Sequence, residues 1–395
     1  MTLESEQTKS HSRQGFTSIE ICAGAGGQAI GLHQAGFDHL ALVEIDPFAV
    51  ETLELNIRQH DVWTGSKSEI LQIDVKTFDP FHDLVRTDRR LAPGELDLLA
   101  GGVPCPPFSQ AGKQLGKDDE RDLFPRMLEL IEILRPRAVM IENVRGIMDP
   151  KFSTYRDWIT VKLEGGMLFG DDGQIVQDKG LGYQVCAWNV LEASDFGVPQ
   201  LRPRAILVAF REDVIQGFDY VLPTATHAQP ISVAEALESS MYKRFSPYLA
   251  GAHAPTARSA FDRWLKVCHQ RSTEPDGGIA PTLVGGSKKH GGADLGPSRA
   301  KAAWRRFGVD PMGIANDPEI PATKRTEDRD LFRPDGPMLT VRQAAILQGF
   351  PSDWEFAGGK TAQYRQVGNA FPPPVAKAVG ISIRDVLQAA RERDC

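Results

Sequence analysis

The sequence has no Cys-x-x-Cys pair, no regular cysteine spacing and no long apolar run. Its five cysteines are Cys22, Cys105, Cys186, Cys268 and Cys395. That usage argues against a disulfide framework and a cysteine zinc site, fits a reducing compartment, and no metal site is expected. The polar opening "MTLESEQTKSHSRQGF" lacks a secretory leader, and no stretch is apolar enough to span a bilayer. A soluble, cytoplasmic chain with no membrane partner is expected. An overall basic excess is missing too, because the formal net charge is −7. That excludes a globally basic nucleic-acid binder but not a local patch. Histidine is scarce, with nine in the chain.

What is present is core-forming material. Hydrophobic residues make up 41% of 395 positions, enough for two domains or one large domain with an insertion. The first half alternates short apolar runs with amphipathic stretches, the pattern of a parallel sheet flanked by helices. "TSIEICAG", "HLALVEID", "LQIDV", "LDLLAGG", "AVMIENV" and "RAILVAFR" read as strands. A helix is predicted from "GQAIGLHQAG", closed by Gly36, another from Pro47 to about Ile57, and a third from "DLFPRMLELIEIL", stopped by Pro136. From about Glu212 the texture changes, with frequent Pro, Gly, Ser, His and charge. Regular pattern returns with "LTVRQAAILQGF" and "PPPVAKAVGISIRDVLQAA". These shifts divide the chain into a disordered tail (1–15), a first domain (16–211), a smaller irregular domain (212–335) and a closing segment (336–395).

Four stretches carry chemistry. "CAGAGG" lies between a predicted strand and helix, and Glu44 ends the next strand, twenty residues after Gly24. Glycines there admit a ligand to the backbone, and a carboxylate at that distance suits the hydroxyls of a ribose. The spacing is not Gly-x-Gly-x-x-Gly, which disfavours a nicotinamide dinucleotide. Asp74 is either a holder of an adenine amino group or an ordinary strand-end cap. "AGGVPCPPFSQAGK" seats Cys105 among three prolines at the end of a strand. Ligands bind at that edge of a doubly wound sheet, and a thiolate there is a nucleophile held on a stiff turn. "ENV" puts Glu142 at the same edge, where it either handles a proton or is simply solvated. "VPQLRPRAILVAFR" spaces Gln200, Arg202 and Arg204 at alternate positions, predicting one shared direction on an extended segment.

In this order the blocks resemble those of the DNA (cytosine-5)-methyltransferases. "IEICAGAGG" is similar to the family's cofactor loop, "VEID" to its ribose acid, "GGVPCPPFSQAGK" to its nucleophile loop and "IENV" to its second catalytic block. "FGVPQLRPRAILVAFR", "LTVRQAAILQGFP" and "QYRQVGNAFPPPVAKAVG" resemble the later blocks. The resemblance covers most of residues 16–211 and 336–385. It implies an α/β, Rossmann-like S-adenosylmethionine-dependent methyltransferase fold with a smaller, irregular target-recognition domain inserted before a C-terminal segment that returns to the catalytic domain.

The implied reaction is methylation of cytosine C5 in a specific duplex sequence. Cys105 would add to C6, leaving C5 nucleophilic towards the methyl of S-adenosylmethionine. Glu142 would bond N3 and the exocyclic amine, Arg204 would contact O2, and Arg202 would help hold the site. The base must be flipped from the stack to react. The resemblance carries cofactor contacts onto Cys22, Gly24, Ala25, Gly27, Glu44, Ile45, Asp74, Leu123, Asn369 and Ala370. It carries substrate contacts onto Pro104, Ser109, Lys113 and Gln200. Cys22 and Ile45 stand where the family often has aromatics, and Pro106 where it often has Gln, so the adenine and DNA grips should differ.

Between Pro281 and Arg306 six lysines and arginines face a single acid, Asp294. Lys288, Lys289 and Arg299 are the candidate DNA contacts, against the alternative of a solvated surface. The expected partners are double-stranded DNA and a cognate restriction endonuclease with no stable complex implied. The expected chain is a prokaryotic, nucleoid-associated monomer. Two alternatives remain open: an RNA cytosine-5 methyltransferase on the same scaffold, and a non-catalytic DNA-binding regulator. A Cys–His hydrolase is disfavoured because no histidine lies in the four chemistry-bearing stretches.

Overall fold

The computed structural model describes residues 15–84, 91–104, 122–169, 174–285, 293–317 and 326–395. Its strands are β1 (Phe16–Ile21), β2 (Phe37–Glu44), β3 (Glu69–Gln72), β4 (Leu98–Gly101), β5 (Ala138–Val144), β6 (Gly166–Phe169), β7 (Ile175–Asp178), β8 (Tyr183–Glu192) and β9 (Pro203–Arg211). Seven of them form one sheet in the order β3-β2-β1-β4-β5-β9-β8, and β6 pairs with β7 as a separate hairpin. The run from β3 to β5 is parallel, whereas β9 is antiparallel to both neighbours. The apolar runs of β4 and β5, and the burial of nearly every position of β1, fit strands covered on both faces. Strand order reverses between β1 and β4, so the crevice at their C-terminal ends is the place where a doubly wound sheet binds ligands.

Helix boundaries follow local chemistry. Gly36, at φ 95°, lies just beyond the helix Gly27–Gln34. Asp46 accepts from the Phe48 and Ala49 amides to cap Pro47–Leu53, which runs on as a π-helical stretch, Glu54–Gln59. The helix Phe124–Leu134 ends at Arg135, before Pro136.

The closing segment lies against the opening one. Helix Pro373–Arg393 packs on Gly27–Gln34, where a Cβ at Gly31 would stand 2.4 Å from the Pro373 carbonyl and 2.5 Å from Ala376 Cβ. Only glycine allows that approach. Arg391 reinforces it, bonding Asp97 at 3.4 Å and covering the Phe16 ring at 3.9 Å.

The stretch from Glu212 onward holds two long helices that its mixed composition concealed, Val233–Phe245 and Ala254–Ser272. Their apolar faces bury Leu237, Met241, Phe261 and Trp264 in a cluster shared with Leu339, Leu347 and Val367. The β6–β7 hairpin and β8 were also absent from the sequence reading. The tail expected over 1–15 lies outside the described residues except for Gly15. Among the described residues no helix is long and apolar enough to cross a membrane, and no cluster of three or more His, Cys, Asp or Glu could hold a metal.

Candidate active site

A cavity of about 380 Å³ opens at the sheet's C-terminal edge. The turn after β1 supplies Cys22, Gly24 and Ala25, the end of β2 supplies Glu44, the end of β4 leads to Pro104, and β5 supplies Glu142. Gly27, Asn369 and Ala370 complete the part of the wall foreseen from the sequence. The volume lies within the range of small-molecule sites, about 300–1,000 Å³.

Glu44 is held rigidly. One carboxylate oxygen accepts the Gly24 amide at 2.8 Å, and the other accepts Ile45 and Asp46 amides at 2.8 and 2.7 Å. The turn it braces is left-handed at Cys22 and Gly24, both at φ 54°. Burial, then the charges of Glu44, Glu20 and Asp74, push the Cys22 thiol up to about 12. Cys22 is therefore a neutral wall residue and not a second nucleophile.

Glu142 and Arg204 form the other end of the site. Antiparallel pairing of β5 and β9 sets Val144 opposite Arg204, and Arg204 Nε meets Glu142 Oε1 at 2.7 Å. Burial pushes the Glu142 carboxyl up, opposed by the charges of Arg204 and Arg202. A Cβ at Gly102 would stand 2.9 Å from Glu142 Oε2, so the bare backbone there leaves the carboxylate its place. Asn143 donates to the Val103 carbonyl at 2.9 Å and ties the ends of β4 and β5 together.

Gln200 and Arg202 are both taken up by buried hydrogen bonds, which for Gln200 departs from the expected DNA contact. Gln200 is fully buried. Its amide donates to the Leu347 carbonyl at 3.0 Å and Gln348 Oε1 at 2.7 Å, and accepts the Leu283 amide at 2.7 Å. No group of it is left for DNA. Arg202 is buried as well, and it donates to the carbonyls of Leu283, Gly368 and Ala370 at 2.8, 2.8 and 2.9 Å. It is a positioning residue that clips the Asn369 segment to residues 283–285. Both residues precede β9, in a segment joined to Ala280 by one isolated bridge. The charges of Arg202 and Arg204 both reach Glu142, while the Gln200 amide is spent on Leu347, Gln348 and Leu283.

Asp74, Leu123 and Ile45 do not line the cavity. Asp74 accepts the Lys76 amide at 3.0 Å, Leu123 directly precedes the helix Phe124–Leu134, and Ile45 is 60% exposed. Arg299 is exposed on the helix Ser298–Arg305, whereas Lys301 and Arg306 are answered by Asp294 at 2.6 Å and Glu274 at 3.3 Å. Cys105, Ser109, Lys113, Lys288 and Lys289 lie outside the described residues.

The sequence reading missed Glu20, Gln28 and Asp46, which also line the cavity. Glu20 and Gln28 are almost fully buried, and among the described residues Glu20 Oε2 and both amide heteroatoms of Gln28 have no hydrogen-bond partner. Burial holds the Glu20 carboxyl well above the usual carboxylate range, relieved by the nearby Gln28 amide and reinforced by Glu44. Unsatisfied buried polar atoms on a cavity wall are costly unless a ligand meets them. The available signal was a glutamate flanked by two isoleucines in the strand that leads into the Gly-rich turn.

The profile of the C-5 cytosine-specific DNA methylase family matches residues 16–385. The chain belongs to that family. It is 44% identical over 380 residues to Type II methyltransferase M.NaeI of Lentzea aerocolonigenes, covering 96% of this chain and 77% of the relative. It is 41% identical over 386 residues to Type II methyltransferase M.NgoMIV of Neisseria gonorrhoeae, covering 96% and 99%. Among solved structures, Entamoeba histolytica methyltransferase EhMeth matches with a TM-score of 0.56 at 15% identity, covering 94% of this chain and 99% of the other. A Spodoptera frugiperda DNMT2 variant matches with a TM-score of 0.55 at 16% identity, with the same coverage. At such identities the structural likeness speaks for the Rossmann-like methyltransferase fold alone. With the family, the chain is a DNA cytosine-5 methyltransferase.

Proposed function

We propose that this methyltransferase uses S-adenosylmethionine to modify C5 of a flipped-out cytosine within one duplex sequence, through covalent addition of Cys105 to C6. The observation that carries this reading is the Glu142–Arg204 pair, which meets at 2.7 Å at one end of a cavity whose other end is the Gly24–Glu44 turn.

The cavity suits the cofactor. Glu44 would take the ribose hydroxyls, Glu20 and Gln28 offer unsatisfied polar atoms to its amino-acid end, and Asn369 closes the wall. When bound, S-adenosylmethionine supplies an electrophilic methyl group. The protein's work is on the cytosine. Burial favours the protonated form of the Glu142 carboxyl, against the charges of Arg204 and Arg202, and a proton held there can be shared with N3 as charge develops. Arg204 would anchor O2 while keeping Glu142 in place. Addition of the Cys105 thiolate to C6 moves electron density to C5, and loss of the C5 proton then expels the sulfur.

Residues 212–335 would read the sequence, with Arg299, Lys288 and Lys289 as phosphate or base contacts, while 16–211 and 336–395 form the catalytic unit. The Type II methyltransferases to which the chain is similar support a restriction-modification role, in which methylation protects bacterial DNA in the cytoplasm from a separate endonuclease.

The test is transfer of a labelled methyl group to duplex DNA and to RNA of matched sequence. Label should enter the DNA as 5-methylcytosine and leave the RNA at background. Preferential labelling of RNA would replace this reading with the RNA methyltransferase alternative.

A further inference from the structure

The cavity wall carries four acidic residues and, among the described residues lining it, one basic residue. The acids are already answered. Glu44 accepts three backbone amides, Asp46 caps a helix, and Glu142 pairs with Arg204. Burial favours the neutral form of Glu20. Arg365 is the remaining charge. It is half-buried on the helix Lys360–Asn369, and its guanidinium meets no acid or hydrogen-bond acceptor among the described residues.

We propose that Arg365 binds a backbone phosphate of the duplex beside the extruded cytosine, an inference that rests on the reading of this cavity as the joint cofactor and target-base site. Two anions reach such a site, the cofactor carboxylate and the DNA phosphate. The carboxylate has another recipient, because the helix Gly27–Gln34 starts at the cavity with no side-chain cap and no acid in its first turn. The phosphate has none on this wall. Arg365 also adjoins the segment proposed to read the DNA. A Cβ at Gly285 would lie 2.8 Å from the Arg365 carbonyl and 2.2 Å from Asn369 Oδ1, and Gly285 leads into the basic stretch that begins at Lys288. A flexible phosphodiester entering an acid-lined mouth needs a local cation, and a guanidinium suits phosphate geometry.

The experiment compares full-length wild type, Arg365→Met and Arg365→Lys. Anisotropy titrations use a duplex carrying the chain's mapped methylation site across a series of KCl concentrations, and S-adenosylhomocysteine affinity is measured by calorimetry. Arg365→Met should lower the salt slope of DNA binding by about 0.9, the value for one phosphate contact, and Arg365→Lys should restore it. Cofactor-product affinity should stay within about twofold of wild type, as expected of a contact made only to phosphate. An unchanged slope in Arg365→Met overturns the proposal. So does a loss of product affinity with the slope intact, which would assign Arg365 to the carboxylate. Wild type that binds DNA but no S-adenosylhomocysteine would contradict the cofactor reading, while the slopes still judge Arg365.

Discussion

Glu142→Gln should cut methyl transfer by about 10²–10⁴-fold, the usual scale for loss of a positioned proton donor, while S-adenosylhomocysteine still binds. The glutamine amide keeps the shape and can accept Arg204 Nε in place of the carboxylate, so the fold should survive. What it cannot do is share a proton with cytosine N3. The pH dependence gives an independent check. Arg204 holds the Glu142 carboxyl down against the upward push of burial. Removing that cation with Arg204→Met should raise the carboxyl further. If the protonated acid is the working form, activity falls as pH rises through its pKa, so the falling limb of the remaining activity should move to higher pH. A limb that stays in place, or moves to lower pH, would detach Glu142 from the proton transfer.

Removing everything after Gln363 should abolish folding and cofactor binding together. The deletion takes away Asn369 and Ala370 from the cavity and the whole helix Pro373–Arg393. That helix buries Val375, Val379, Ile383 and Leu387 almost completely. At about 1.5–3 kcal/mol for each side chain, four such residues represent about 6–12 kcal/mol. This is comparable to the entire stability of an ordinary domain, about 5–15 kcal/mol. Circular dichroism and a thermal melt, with S-adenosylhomocysteine titration alongside, make the measurement. A truncated chain that melts cooperatively and binds the ligand normally would show that the C-terminal helix is dispensable to the sheet.

The parallel sheet was legible because its strands are short apolar runs punctuated by Gly, Pro and helix-capping residues. Glu142 and Glu44 were legible because each ends such a run, at the edge where strand ends converge. Gln200 misled as a DNA contact because its amide, like the Arg202 guanidinium, is spent on buried partners. Their buried networks reach Leu347, Gln348, Gly368 and Ala370, partners more than 140 residues away that no local pattern announces. Glu20 was overlooked because a strand that also carries Thr17 and Ser18 does not single it out, whereas its burial on the cavity wall gives it a ligand-facing position. The helices Val233–Phe245 and Ala254–Ser272 were hidden by charge on their exposed faces and by the loop-forming residues around them.

The central claim is sequence-specific methylation of cytosine C5 by a Cys105 nucleophile. It is tested most directly by expressing wild type and Cys105→Ser in a host without 5-methylcytosine and mapping that base across the genome. Wild type should deposit it in a single sequence context, and Cys105→Ser should deposit none while still binding S-adenosylhomocysteine. No 5-methylcytosine from folded wild type, or undiminished methylation by Cys105→Ser, would contradict the account.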